Sequence, residues 1–96
     1  MARAIWKGTV LAQSDKFEVV EGNVYFPSES VKWAFFEKGD RQYTCPWKGE
    51  AAYFNIKVDG DTNKNAAWSY PDPKPAAKHI KGHVAFEIGR GVNVEK

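Results

Sequence analysis

The sequence predicts an all-β or β-dominated fold: a single domain spanning residues 1–96, with about seven to nine short, mainly antiparallel strands in a two-layer or barrel-like arrangement and one short helix near residues 75–80. Three observations predict it. Apolar residues recur mostly at period two, the spacing that lines one face of a pleated strand, rather than at 3.6. Pairs containing Gly, Asn or Asp recur at short intervals, and these residues tolerate the positive φ of tight hairpins. Only one segment carries helix signals.

The elements follow in order. Lys7-Gly8 separates Arg3–Trp6 from Thr9–Ala12, and Gly22-Asn23 separates Phe17–Val20 from Val24–Phe26. Ser28-Glu29-Ser30, after Pro27, reads as a single capped turn. Gly39-Asp40 is expected to turn Val31–Glu37 back onto Arg41–Cys45, and Asp59-Gly60 to turn Ala51–Val58 onto Thr62–Tyr70. In Ala51–Val58 the alternation is clearest. Ala52, Phe54, Ile56 and Val58 face the core; Ala51, Tyr53, Asn55 and Lys57 face the other way, as an outer surface or a pocket wall. Pro71, Pro73 and Pro75 then occupy every second position. Pro75 suits the first residue of a short helix, where a missing N–H costs nothing, and Gly82 suits its end. Val84, Phe86 and Ile88 alternate as a final strand.

Composition narrows the function. Hydrophobic residues make up 43% of the chain, which excludes disorder as the default. Fourteen Lys and Arg face 12 Asp and Glu, a net +2 without a basic stripe, so no nucleic-acid partner is expected. No apolar run approaches a membrane span, and no membrane association is expected. One cysteine, Cys45, allows no internal disulfide, and the first residues lack an apolar signal segment; both point to the cytoplasm. No cofactor is implied.

Four blocks stand out: Val24-Tyr25-Phe26-Pro27, Thr44-Cys45-Pro46-Trp47-Lys48-Gly49, Ala66-Ala67-Trp68-Ser69-Tyr70-Pro71 and Ile80-Lys81-Gly82-His83-Val84-Ala85-Phe86. In this order they resemble the family called domain of unknown function 427, from Trp6 to Val94. The resemblance implies a small, single-domain, mostly bacterial β protein. The family is sometimes labelled nucleotidyltransferase-like. His83 stands where many members carry an aromatic residue, which speaks against a shared role for it.

The residues themselves offer several chemistries. Cys45-Pro46-Trp47-Lys48-Gly49 is a turn by composition, with Cys45 a small buried hydrophobe. It is also a place where the Lys48 ammonium favours a thiolate at Cys45, an enzyme reading that needs a base such as His79 or His83. Held in a tight turn, Lys48 is alternatively a fixed cation for a ligand carboxylate or phosphate. Trp68 and Tyr70 share one strand face, with Ala67 and Ser69 on the other. They either seal the core or form a stacking wall with a phenolic handle. Tyr53, Trp47 and Lys48 join that wall if the strands flanking Asp59-Gly60 pair.

His79 and His83 with Cys45 make only three metal ligands from distant segments, so no metal site is expected. Asp59-Gly60-Asp61 offers a carboxylate pair for Mg²⁺, but those residues suit a hairpin turn, and no glycine-rich phosphate loop leads into a helix. The sequence therefore favours a domain binding a small polar or anionic ligand in an aromatic pocket. Trp47, Tyr53, Trp68 and Tyr70 are the walls, Lys48 the anchor and Ser69 a polar contact. The rivals are an enzyme using Cys45 with Lys48 or a histidine, and a homodimeric module pairing through an exposed strand edge.

Overall fold

Nine strands form: β1 (Ala2–Trp6), β2 (Thr9–Ser14), β3 (Glu18–Val20), β4 (Asn23–Tyr25), β5 (Phe36–Cys45), β6 (Gly49–Val58), β7 (Asp61–Ser69), β8 (Val84–Phe86) and β9 (Asn93–Glu95). The structure, a computed structural model, describes all 96 residues. Three two-residue hairpins share one device. Lys7-Gly8, Glu21-Gly22 and Asp59-Gly60 all have positive φ at both positions, between 52° and 81°. That is the turn whose twist matches the twist of paired strands, and glycine at its second position avoids the steric cost.

The strands make three sheets: β2-β1-β9, the β3-β4 hairpin, and β5-β6-β7-β8, antiparallel throughout. The hairpin joins the large sheet through Phe26 and Val84, which exchange two backbone hydrogen bonds of 2.8 Å. The expected short helix is present as a 3₁₀ segment, Pro75–Ile80, with Pro75 at its start and a kink at Ala77.

Three expectations need correction. The β3-β4 turn is Glu21-Gly22, one residue earlier than the expected Gly22-Asn23, because Asn23 already pairs with Val20 at the start of β4. Gly39-Asp40 does not turn the chain; β5 runs through it as a bulge, its register against β6 slipping between Lys38 and Gln42. Glycine is needed there for close approach: a Cβ on Gly39 would lie 2.3 Å from Asn65 Oδ1 and 3.1 Å from the Tyr53 backbone. Asn65 fills the space, accepting from the Arg41 N–H at 3.3 Å and donating to Asp40 at 3.0 Å. Nor is the segment after Val84 the last strand. β8 stops at Phe86, Ile88 opens a 3₁₀ turn with its side chain 64% exposed, and the chain returns as β9 beside β1, Val94 opposite Ala4.

The large sheet buries both faces. One carries Ile56, Val58, Ala67, Val84 and Phe86, packed with Ala2, Ala4 and Leu11 of the β1-β2 layer and with Phe26. Phe26 meets Phe86 edge to face at 5.7 Å. The other face carries Ala51, Tyr53, Trp68, Tyr70 and Ala85. It is covered by Val20 and Tyr25 of the small hairpin, by Cys45, and by Ala77 and Ile80 of the 3₁₀ segment. Alternation divides the two sets: Val24 and Phe26 point into the first, Tyr25 into the second. The second face, rich in hydroxyls, positions the candidate site.

Candidate functional site

The β5-β6 connection is three residues long, Pro46-Trp47-Lys48, with Cys45 opposite Gly49 in the ladder. Gly49 has a φ of 109°, which a side chain would strain, and its α-carbon packs close to the Asp72 carbonyl and the Lys74 nitrogen, which an added Cβ would touch at 3.5 Å. The proline-rich segment pins this turn from outside. The Lys74 N–H donates to the Lys48 carbonyl at 2.9 Å, and Lys74 Nζ donates to the Pro46 carbonyl at 2.8 Å. The pinned turn sends the Lys48 side chain inward.

Lys48 is only 6% exposed. Its ammonium lies 5.1 Å from the Trp47 ring centre and 5.5 Å from that of Tyr70, within reach of cation–π attraction. It donates a hydrogen bond to the carboxylate of Glu21, at the tip of the β3-β4 hairpin. Burial is the largest influence on Lys48 and works against its charge. The Glu21 hydrogen bond, with the fields of Tyr25, Glu21 and Cys45, outweighs it and holds the pKa above the ordinary lysine value. Glu21 is held below the usual carboxylate range, chiefly by the hydrogen bond from Lys48.

The rings assemble from three strands. Tyr53 on β6 sits opposite Trp68 on β7, ring centres 6.1 Å apart. Trp68 meets Tyr25 edge to face at 6.4 Å and donates its indole N–H to the Tyr25 hydroxyl at 3.2 Å. Such a pair contributes about 0.5–1.5 kcal/mol beyond its buried area. Tyr70 continues the same face and is 2% exposed.

Tyr53 and Tyr70 make no side-chain hydrogen bond. No polar side-chain atom in the chain is both sealed and unpaired, so each of these hydroxyls keeps a sliver of solvent contact. Burial raises the pKa of Tyr70, Tyr53 and Tyr25, most strongly at Tyr70, where Tyr25 and Cys45 add to it. The cluster therefore presents hydrogen-bond donors, two phenols and an ammonium.

The two sequence blocks meet: Cys45 and Lys48 lie against Tyr70, and Trp47 forms the outer rim at 37% exposure. Ser69 is buried but points to the opposite side of β7 from Trp68 and Tyr70. No open depression reaches Trp47, Lys48, Trp68 or Tyr70; Tyr53 lines one beside Lys38–Gln42. Cys45 is buried within the cluster, but no histidine belongs to it. His83 Nδ1 lies 3.1 Å from the Lys81 carbonyl oxygen, and His79 is exposed on the 3₁₀ segment. Asp61 pairs with Lys7 at 2.6 Å beside the Asp59-Gly60 turn, and no group of three or more His, Cys, Asp or Glu side chains is placed to hold a metal ion.

Sequence reading missed Glu21, Tyr25 and Asn65. Glu21 and Tyr25 belong to a short hairpin whose contact with the Lys48 turn is made only by the tertiary fold. The alternation of Val24-Tyr25-Phe26 was the available signal, since it sets Tyr25 apart from the two core residues.

No helix is long and apolar enough to cross a membrane. No curated protein matches the chain. The family described as a domain of unknown function (DUF427) matches over residues 1–95, nearly end to end, and the chain belongs to that family.

Proposed function

We propose that this domain binds a small carboxylate-bearing molecule at Lys48, with the Glu21 carboxylate holding the seat when the ligand is absent. The observation that carries the reading is the pairing of a buried ammonium with unpartnered phenols on one sheet face. Tyr70 is 2% exposed, its hydroxyl makes no hydrogen bond within the chain, and its ring centre lies 5.5 Å from Lys48 Nζ. Its hydroxyl keeps a sliver of solvent contact, so it is free to donate to an arriving ligand oxygen.

Glu21 marks the chemistry of the guest. It is a carboxylate, its side chain is 53% exposed, and it sits on a two-residue turn. A ligand carboxylate takes its place as the turn lifts, which explains why no cavity stands open. Trp47 and Trp68 supply the walls, Tyr53 and Tyr70 the donors, and Lys48 the charge.

The experiment is a thermal-shift screen of small aliphatic and aromatic carboxylates. A ligand at 100 times its Kd stabilises by about 2.7 kcal/mol, a readily measured rise in Tm. Hits are expected to weaken at least tenfold in Lys48→Met and several-fold in Tyr70→Phe, and to tighten in Glu21→Gln. Hits that bind Lys48→Met and Tyr70→Phe unchanged, or a screen of carboxylates without any hit, overturn the reading.

A further inference from the structure

A second site lies where the β5 bulge, β7 and the turn after β8 come side by side, lined by residues that the carboxylate seat does not use. We propose that the groove between Arg41 and Arg90 binds a small phosphate monoester. The groove is shallow and open to solvent, offers about 530 Å³, and is lined by Arg41, Asn63, Glu87, Gly89 and Arg90, with no apolar side chain. A lining of this kind selects for charge and hydrogen bonding, not for apolar surface.

Both guanidiniums stand on braced backbone. Arg41 leaves the β5 bulge, its N–H held by Asn65 Oδ1, and its guanidinium lies 5.0 Å from the centre of the Tyr53 ring. That ring is buried against Trp68, so the arginine rests on a fixed platform. Arg90 ends the 3₁₀ turn after β8. Its carbonyl accepts from Asn63 Nδ2 at 2.9 Å, and its N–H donates to the Glu87 carbonyl at 3.0 Å. The Arg41 side chain, resting on that ring, loses less freedom on binding.

Neither arginine has an acidic partner. Five ion pairs form on the chain and none includes Arg41 or Arg90, although Glu87 lines the same groove. Two planar forks facing one groove match the several oxygens of a phosphate better than the two of a carboxylate. Glu87 disfavours a bare anion and accepts from a hydroxyl. The ligand is therefore a phosphate that carries an alcohol nearby.

The test is an amide NMR titration of the whole chain with glycerol 3-phosphate, inorganic phosphate and succinate. Saturable shifts of Arg41, Asn63, Gly89 and Arg90 are expected with glycerol 3-phosphate, at higher affinity than for the other two. Arg41→Gln and Arg90→Gln each weaken it at least tenfold, Arg41→Lys less, and Lys48→Met not at all. Preserved spectra away from the groove show that the variants fold. The proposal is overturned by shifts that collect instead at Lys74, Lys78 and Lys81, by equal affinity in Arg41→Gln, or by succinate binding as tightly as the phosphate. Because Lys48→Met is neutral here, failure at this groove is distinct from failure at the carboxylate seat.

Discussion

Lys48 is buried while Glu21, which neutralises it, is half in water: the two side chains are 7% and 53% exposed. The asymmetry decides which partner matters to which property. An unpaired ammonium left inside is costly, whereas an unpaired carboxylate at a hairpin tip is simply hydrated. Glu21→Gln is therefore destabilising through the lysine it abandons, and Lys48→Met relieves that burden while destroying the anion seat. Urea unfolding at neutral pH is expected to give a lower midpoint for Glu21→Gln than for the Lys48→Met, Glu21→Gln double variant.

The same pair sets the acid limb of stability. Glu21 is depressed below its ordinary value of 4.5, first by the hydrogen bond from Lys48. A depressed carboxylate contributes stability that is present above its unfolded value and is lost as pH falls through the folded one. Asp40 behaves alike, held down by its hydrogen bond from Asn65. Stability should fall below about pH 4.5, and Glu21→Gln and Asp40→Asn should each flatten that fall. A wild-type slope retained in the double variant would assign it to other carboxylates.

At the alkaline end the tyrosines govern. Tyr70, Tyr53 and Tyr25 are all raised above 10.0, chiefly by burial. A raised folded value contributes stability that is fully present below the unfolded one and is lost as pH climbs beyond it. The phenolate absorbance of these three rings should appear together with the loss of circular dichroism above pH 10, as one event. Ionisation of all three while the fold persists would mean that the cluster is wetter than its burial implies.

Gly39 offers a mutational test of the bulge. A methyl group there meets Asn65 Oδ1 at 2.3 Å and the Tyr53 carbonyl at 3.1 Å. The amide must swing away, breaking its bonds to Arg41 and Asp40. Gly39→Ala should cost about 1–3 kcal/mol, the usual range for overpacking. Adding Asn65→Ala should cost less than the sum of the two single changes, because the collision and the lost bonds share one side chain.

Gly39 also shows where sequence reading stops. A glycine beside an aspartate looks the same whether the chain turns or another side chain needs the room. Asp59-Gly60 turns; Gly39-Asp40 does not, because Asn65 arrives from 25 residues away to fill the bulge. Local chemistry thus made legible the strand-rich class, three glycine hairpins, the short 75–80 segment and the two faces of β6. It also made legible that Tyr53, Trp68 and Tyr70 share one sheet face, because alternation and pairing fix them there. Glu21 was illegible for the opposite reason: it lies 27 residues from Lys48 and nothing in its own turn requires a carboxylate. The Arg41–Arg90 groove likewise exists only once β5, β7 and the turn after β8 are side by side.

Cys45 reports on how the site opens. The thiol is 5% exposed inside the ring cluster, so a labelling reagent reaches it only in opened states. At neutral pH the native protein should label at least about a hundredfold more slowly than the urea-unfolded chain, the ratio that follows from an opening free energy of roughly 3 kcal/mol or more. Gly39→Ala separates two routes, because it lowers global stability without touching Glu21. If opening is global, labelling accelerates in step with that loss. If the β3-β4 hairpin lifts by itself, Glu21→Gln accelerates labelling by more than its loss of stability accounts for, and Gly39→Ala does not change the rate. The second pattern is the one that the carboxylate seat requires, since a ligand must enter without unfolding the domain.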